Sequence, residues 1–176
     1  MEEGEIVPRA AAGMNGSSSL RVRKAAPRDL QCLARMLGAA RREDGVEPWA
    51  LELDQLRVHA FGTGAKFESW IAAIAGRPVG CAAAHRGYDM RLARPTLVLT
   101  ALYVEEAERG GGVARHLLAA AAARALQIGA REISITAGLG NAAGRKFLQG
   151  LGAEEQRIAA YMLGFDHLEW LAQERL

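Results

Sequence analysis

Aromatic residues are scarce in this chain, 6% of 176 positions, and that scarcity removes the stacking platforms on which single-stranded nucleic acids are held. Charge of one sign is lacking too. The 22 Lys and Arg stand against 20 Asp and Glu, a net charge of +2 that suits a small anionic ligand and falls short of the concentrated cationic face of a nucleic-acid binder. There are only two cysteines, Cys32 and Cys81, far apart and each in apolar surroundings, which reads as two buried free thiols in a reducing compartment. The histidines (His59, His85, His116, His167) show none of the spacings of a metal site, so no metal is expected. No apolar run approaches the ~20 residues of a membrane span. The opening MEEGEIV lacks a signal-peptide pattern, so no membrane partner and a cytoplasmic location are expected.

What is present is an ordinary globular composition, 50% apolar and 24% charged, of a length that suits one domain. Residues 1–19 mix Gly, Ser, Pro and Ala without an apolar period and read as a flexible leader, leaving 20–176 as the domain. LRVRKA (20–25) alternates like a strand. Pro27-Arg28-Asp29 opens a helix near 29–42, with Leu30, Leu33, Ala34 and Leu37 on one face, and Gly45 and Pro48 break it. A second helix is expected near 50–61. FESWIAAIAG (67–76) and VGCAAAHRGYD (79–89) read as a hairpin turning at Arg77-Pro78, and MRLARP (90–95) as a polar connection.

TLVLTALYV (96–104) is the near-continuous apolar run of a central strand. The helix that follows reaches Ile128, with Val113, Leu117, Ala121 and Ala125 on one stripe, Leu118, Ala122 and Leu126 on a second, and Gly129 as a left-handed cap. REISITA (131–137) is a strand, NAAGRKFLQGLG (141–152) a short helix ended by Gly150 and Gly152, and RIAAYML (157–163) a last strand. A C-terminal helix, HLEWLAQERL, follows a capping box formed by Asp166 and Glu169. The order is β-α-α-β-β-β-α-β-α-β with a C-terminal helix, an α/β mixed sheet flanked by helices.

ERGGGVARHLL (108–118) sets three glycines directly before an alanine-rich helix. Strand, glycine loop and helix N-terminus together hold phosphate well, because the first helical N–H groups lack partners and carry partial positive charge. Arg109 and Arg115 add cationic reach at either end. A nucleotide-binding P-loop needs GxxxxGK[ST], and neither its lysine nor its hydroxyl is present. A dinucleotide loop needs GxGxxG, which fails at Arg115. The plain structural alternative is that the glycines serve only close packing of helix on strand.

LYVEEAERGGGVARHLL resembles the acyl-CoA motif of the GNAT superfamily of N-acetyltransferases, R/Q-x-x-G-x-G/A, met here by Arg109, Gly112 and Ala114. NAAGRKFLQGLGA (141–153) is similar to that family's N-x-x-A-x-x-F/L-Y-x-x-x-G-F/A segment, and the likeness covers about residues 20–163. The resemblance implies a GNAT-type sheet and acetyl-CoA as cosubstrate. It implies a pyrophosphate held by the backbone of Arg109, Gly110, Gly111, Gly112, Val113 and Ala114, with Arg115 also among the cofactor-binding residues. The pantetheine arm would pair with the fourth strand at Tyr103, Val104 and Glu105, a backbone N–H near Leu102 would polarise the thioester, and Asn141 would touch the cofactor arm, unless it serves only as a helix N-cap.

The reaction so implied is attack of a neutral amine on acetyl-CoA in a ternary complex. A free alkyl amine with a pKa near ~10 is about three units on the wrong side at neutral pH, worth roughly 4 kcal/mol of barrier. Two positions depart from the family pattern: Leu148 stands where the general-acid tyrosine is usual, and Gly144 replaces an Ala. TLVLTALYV holds no carboxylate either. Glu105 and Tyr103 are the candidate base and acid, with Tyr161, Glu68, His85 and Asp89 as further candidates. Glu43, Asp44, Glu47, Glu52, Asp54 and Asp89 would suit a cationic small molecule such as a polyamine or aminoglycoside, and equally form a solvated mixed-charge surface. A protein or peptide amine, and an acyl-CoA sensor without catalysis, are the alternatives. Family members are often dimers, and the Leu168/Trp170/Leu171 stripe suits a homodimer interface as well as packing within its own domain.

Overall fold

A computed structural model describes residues 19–45 and 52–173. The expected leader therefore falls almost entirely outside the described residues, as do Glu47, Pro48 and the last three residues. The chain divides into two compact units, one ending at Asn141 and one running from Ala142.

The first unit is built on a five-stranded sheet in the order β1-β2-β3-β4-β5. The strands are β1 (Leu20–Lys24), β2 (Glu68–Ile74), β3 (Arg77–Asp89), β4 (Arg94–Val104) and β5 (Ile133–Ile135). The β1–β4 neighbours are antiparallel, and β4 pairs with β5 in parallel. Helices α1 (Leu30–Glu43), α2 (Leu53–Ala60) and α3 (Val113–Gln127) complete this unit.

The β2–β3 turn lies at Ala75-Gly76, not at Arg77-Pro78, since Ile74 pairs with Arg77 and both turn residues have positive φ (49° and 80°). Positive φ at both central residues is what the right-handed twist of a hairpin requires. Pro78 is tolerated just beyond because the ladder is irregular there: Ala73 faces Pro78 and Ala72 faces Gly80, leaving Val79 as an extra residue.

The core has two halves separated by the sheet. On one side α3 contributes Val113, Leu117, Ala121 and Ala125 against Trp70, Ala72, Val79, Ala82, Ala84, Leu97, Leu99 and Val104. The expected second stripe of α3 is largely solvated, with Leu126 exposed. On the other side Leu33, Met36 and Ala40 of α1 pack on Ile71, Cys81 and Tyr103. The buried face of α1 is thus centred on Met36 and Ala40, rotated from the Ala34–Leu37 stripe. Cys81 is fully buried, and burial pushes its thiol up to about 12. Cys32 is half-buried and donates to the Asp29 carbonyl at 3.1 Å.

Asp29 fixes the start of α1. Its carboxylate accepts from the Ala26 N–H at 2.8 Å and from both terminal nitrogens of Arg23 at 2.6 and 2.8 Å, while only 5% exposed. The Arg23 guanidinium holds that carboxyl below the ordinary aspartate range, against the opposing effect of burial. We expect Asp29→Ala to cost about 2–3 kcal/mol of stability. Because the folded pKa is depressed, the stabilisation is fully present above the unfolded value and fades as pH falls through the folded one. The melting-temperature gap between wild type and Asp29→Asn should therefore begin to narrow below about pH 4 and close once the pH has fallen past the folded value.

Helix α3 stops as expected. Gly129 takes φ +74°, and the Ala130 N–H reaches the Ala125 carbonyl at 2.9 Å while the Gly129 N–H reaches Leu126 at 3.1 Å.

The second unit contains α4 (Ala142–Gly150) and α5 (Phe165–Gln173). Gly152, at φ +87°, closes α4 in the same way, with the Ala153 N–H on the Leu148 carbonyl at 3.1 Å. Arg145 pairs with Glu155 at 2.8 Å. Residues 153–163 carry no regular secondary structure, so the expected strand at 157–163 does not form. A strand needs a partner edge, and the described residues of the second unit form only the two helices. Asp166 lies inside the first turn of α5, and the Gly164 carbonyl takes the first N–H groups, so the expected capping box is not the start signal.

Candidate active site

Strand β4 carries one extra residue at Thr100. Across it on β3, Ala84 faces Leu99 while its neighbour Ala83 faces Ala101. A bulge inverts the alternation of side chains beyond it. Leu97 and Leu99 face the α3 half of the core before the bulge; after it Leu102 and Val104 take that side, and Ala101 and Tyr103 turn to α1. At the same point the ladder with β5 ends, its last pair being Leu99↔Ile135. The two parallel strands part, and the β5-facing edge of β4 runs on past the ladder.

The polarity of that edge follows from one bond. The Glu105 N–H donates to the Val79 carbonyl on β3 at 2.8 Å. By strand alternation the Tyr103 N–H shares that direction, and the N–H groups of Leu102 and Val104 point the other way, along the opened edge. The chain then makes a single turn at Glu106–Glu108 and enters the glycines.

Gly110 and Gly112 have φ of +80° and +82°. A Cβ at Gly110 would meet nothing within 4 Å, so crowding between helix and strand does not explain this glycine. Backbone conformation does, because left-handed φ is costly for other residues. Gly112 is the N-cap of α3 and makes no side-chain cap bond. Its carbonyl accepts from the His116 N–H at 3.1 Å and lies 3.0 Å from His116 Nδ1. Val113 is buried and anchors the turn, Ala114 is half-buried, and Arg115 is exposed. This is a helix N-terminus with small residues around it, suited to an anion.

Arg109 is a staple of the loop as well as a cation beside it. Its Nε donates to the Val104 carbonyl at 3.0 Å, its Nη2 bonds Glu43 on α1, and the guanidinium lies 5.9 Å from the Tyr103 ring centroid. Arg35, also on α1, pairs with Glu105 at 2.6 Å. Glu105 in turn accepts from the Tyr103 hydroxyl at 3.2 Å. Tyr103 is 9% exposed. Burial first, and then the Glu105 carboxylate beside it, raise its pKa and keep the phenol protonated. The two candidate catalytic groups are therefore in direct contact.

The remaining candidates separate. The Asn141 amide donates to Asp44 Oδ1 at 2.9 Å, and the same oxygen accepts from the Gly138 N–H at 3.0 Å. Glu68 pairs with Arg124 at 2.7 Å and Lys24 at 3.1 Å; burial raises its pKa, but these cations outweigh it and hold the carboxyl low. Asp89 caps the β3–β4 turn through the N–H groups of Arg91 and Leu92, at 2.8 and 3.1 Å. His85 lies 3.1 Å from the Arg86 carbonyl. Tyr161 belongs to the second unit. Asp54 pairs with Arg57 at 3.0 Å on an exposed face of α2.

Arg35 was not legible as a site residue, since it lies on a helix 70 positions before Glu105 and no motif joins them. Among the described residues, no group of three or more His, Cys, Asp or Glu is placed to hold a metal ion, and no helix is long and apolar enough to cross a membrane.

Comparison with known proteins identifies the family and the fold. A model of the acetyltransferase (GNAT) family matches residues 34–153. No curated protein sequence matches the chain. Among solved structures, the fold is similar to an aminoglycoside N-acetyltransferase, AAC(6')-Iy, in complex with CoA. The TM-score is 0.71 at 22% identity, covering 88% of this chain and 99% of that one. It is similar to an aminoglycoside acetyltransferase from an uncultured soil metagenomic sample, in complex with sisomicin, with TM-score 0.67 at 16% identity and 82% and 95% coverage. A ribosomal-protein-alanine N-acetyltransferase from Brucella melitensis biovar Abortus 2308 gives TM-score 0.64 at 19% identity, with 84% and 100% coverage.

Proposed function

The chain belongs to the acetyltransferase (GNAT) family, and on that premise we propose that it moves the acetyl group of acetyl-CoA to a primary amine of a small cationic molecule, by direct attack in a ternary complex. The observation that carries this reading is the opened edge of β4, which leads from the last β5 pair at Leu99 straight into the glycine turn and the uncapped start of α3.

An acyl-CoA fits these groups. It offers a diphosphate for the amides of residues 109–114, and an amide-bearing arm for a strand edge with N–H groups at Leu102 and Val104. In this reading the Leu102 N–H meets the thioester carbonyl, where negative charge builds in the transition state. Asn141 contacts the cofactor arm. Glu105 takes the amine proton, directly or through water, and the protonated Tyr103 gives one to the departing thiolate. The hydrogen bond between them lets Glu105 return that proton to Tyr103, so the pair ends each turnover as it began. Tyr103 thus supplies the acid that Leu148 does not.

The support for the acceptor assignment is that two of the similar structures are aminoglycoside acetyltransferases. The test is thiol release from acetyl-CoA against separate pools of polyamines, aminoglycosides and peptides with a free N-terminal alanine. Release with a small-amine pool supports the reading. Release with peptides alone would reassign the acceptor to a protein amine, and CoA binding without release from any pool would reduce the site to an acyl-CoA sensor.

A further inference from the structure

The C-terminal end of α1 lies across the gap between β4 and β5, and two consecutive carboxylates tie it to opposite sides. Glu43 bonds Arg109, which is itself hooked to the last carbonyl of β4. Asp44 bonds the segment that follows β5. One oxygen, Oδ1, accepts from both ends of the turn 138–141, from the Gly138 N–H at 3.0 Å and the Asn141 side-chain amide at 2.9 Å. The turn is closed on itself by the Asn141 N–H on the Gly138 carbonyl at 2.9 Å. Gly138 rests directly on the Asp44 backbone. A Cβ there would collide with the Asp44 carbonyl oxygen and come within 2.8 Å of its carbon and Cα. The stop of the helix is itself built in, with Gly45 at φ +73° and its N–H on the Arg42 carbonyl at 3.1 Å.

We propose that Asp44 is a positioning residue for the acyl donor: it clasps the Gly138–Asn141 turn to the end of α1 and so sets the width of the cleft between β4 and β5, along with the direction of the Asn141 amide. This rests on the opened β4 edge being the donor site. The β4/β5 ladder spans only three residue pairs, so beyond Leu99 the spacing of the two strands is set by whatever bridges them. Among the described residues, Glu43 and Asp44 are neighbours in sequence that bridge to both sides. The task of Asp44 needs an acceptor oxygen at one place, and its charge is incidental.

That distinction gives the test. CoA affinity by calorimetry and the steady-state constants for acetyl-CoA are measured for wild type, Asp44→Asn, Asp44→Ala and Gly138→Ala, each with its melting temperature. Asn retains Oδ1, so Asp44→Asn should bind CoA within about twofold of wild type, whereas Asp44→Ala should bind about tenfold more weakly. The loss in Asp44→Ala should appear in KM for acetyl-CoA with kcat nearly unchanged. Gly138→Ala, which wedges the clasp from the other side, should reproduce that split. Wild-type affinity in Asp44→Ala or in Gly138→Ala would overturn the proposal, as would an Asp44→Asn as weak as the alanine variant. If wild type itself fails to bind CoA, the donor-site reading falls, and the clasp falls with it. If wild type binds and only the clasp variants show no effect, the donor-site reading stands alone.

Discussion

Gly112→Asp is expected to weaken CoA binding by about 100-fold, equivalent to about 2.7 kcal/mol. Two effects add. The residue sits at φ +82°, where a Cβ costs about 1–2 kcal/mol. The new carboxylate also places negative charge at the positive end of α3, where the diphosphate would lie, and like charges a few ångströms apart repel. Gly112→Asn separates the two, because asparagine shares aspartate's size and its tolerance of left-handed φ but brings no charge. It should retain CoA affinity within about tenfold of wild type. Calorimetric titration with CoA reads both variants. An aspartate variant that binds CoA and turns over like wild type would show that the loop is not the phosphate cradle.

The second large effect is on turnover. Glu105→Gln should lower kcat by about 10²–10³-fold, in the range expected for losing a general base, with CoA affinity little changed. It also carries a signature in pH. The Glu105 charge helps to hold the Tyr103 pKa up, because a phenolate beside a carboxylate is disfavoured. Removing that charge lets the phenol ionise at lower pH, so the alkaline limb of kcat should move down in the Gln variant. Tyr103→Phe, which has no phenol to ionise, should be slow across the range and lose that limb. An unchanged kcat in Glu105→Gln would take the base away from Glu105. An alkaline limb that stays in place would take the acid away from Tyr103.

Much of the scaffold was legible because its signals are local. The i, i+4 stripe from Val113 to Ala125, the Gly129 cap and the apolar run of β4 are properties of neighbouring residues, and periodicity reports them. The glycine turn belongs to the same class, as positive φ is written in residue identity. Pro78 reads as the punctuation of the hairpin, whereas the turn forms earlier, where Ala75 adopts positive φ in the twisted two-residue link. The strand expected at 157–163 does not form, because strand formation needs a partner edge, which a heptapeptide cannot declare. The site's working contacts were the least visible. Arg35 to Glu105, Glu43 to Arg109 and Asp44 to Asn141 each join residues at least 66 positions apart. The acids of α1 were visible as charges, but their partners are set by the way the sheet folds the chain back. The bulge at Thr100 left no local mark either, although it turns Tyr103 toward α1.

The two half-cores on either face of the sheet bear on how such an enzyme diversifies. One half holds α3, the helix into which the glycine turn leads; the other holds α1 and the side chains nearest the proposed acceptor. Strand residues alternate between them, so a substitution such as Met36→Leu is felt mainly in one half and Leu117→Met mainly in the other. Distant sites without shared partners add in free energy. Away from the Glu43–Arg109 and Asp44–Asn141 bonds, which join the two sides, a lineage can then remodel its acceptor side repeatedly while the opposite half stays as it was. Evolvability of this kind is a property of the layered architecture and needs no special residue.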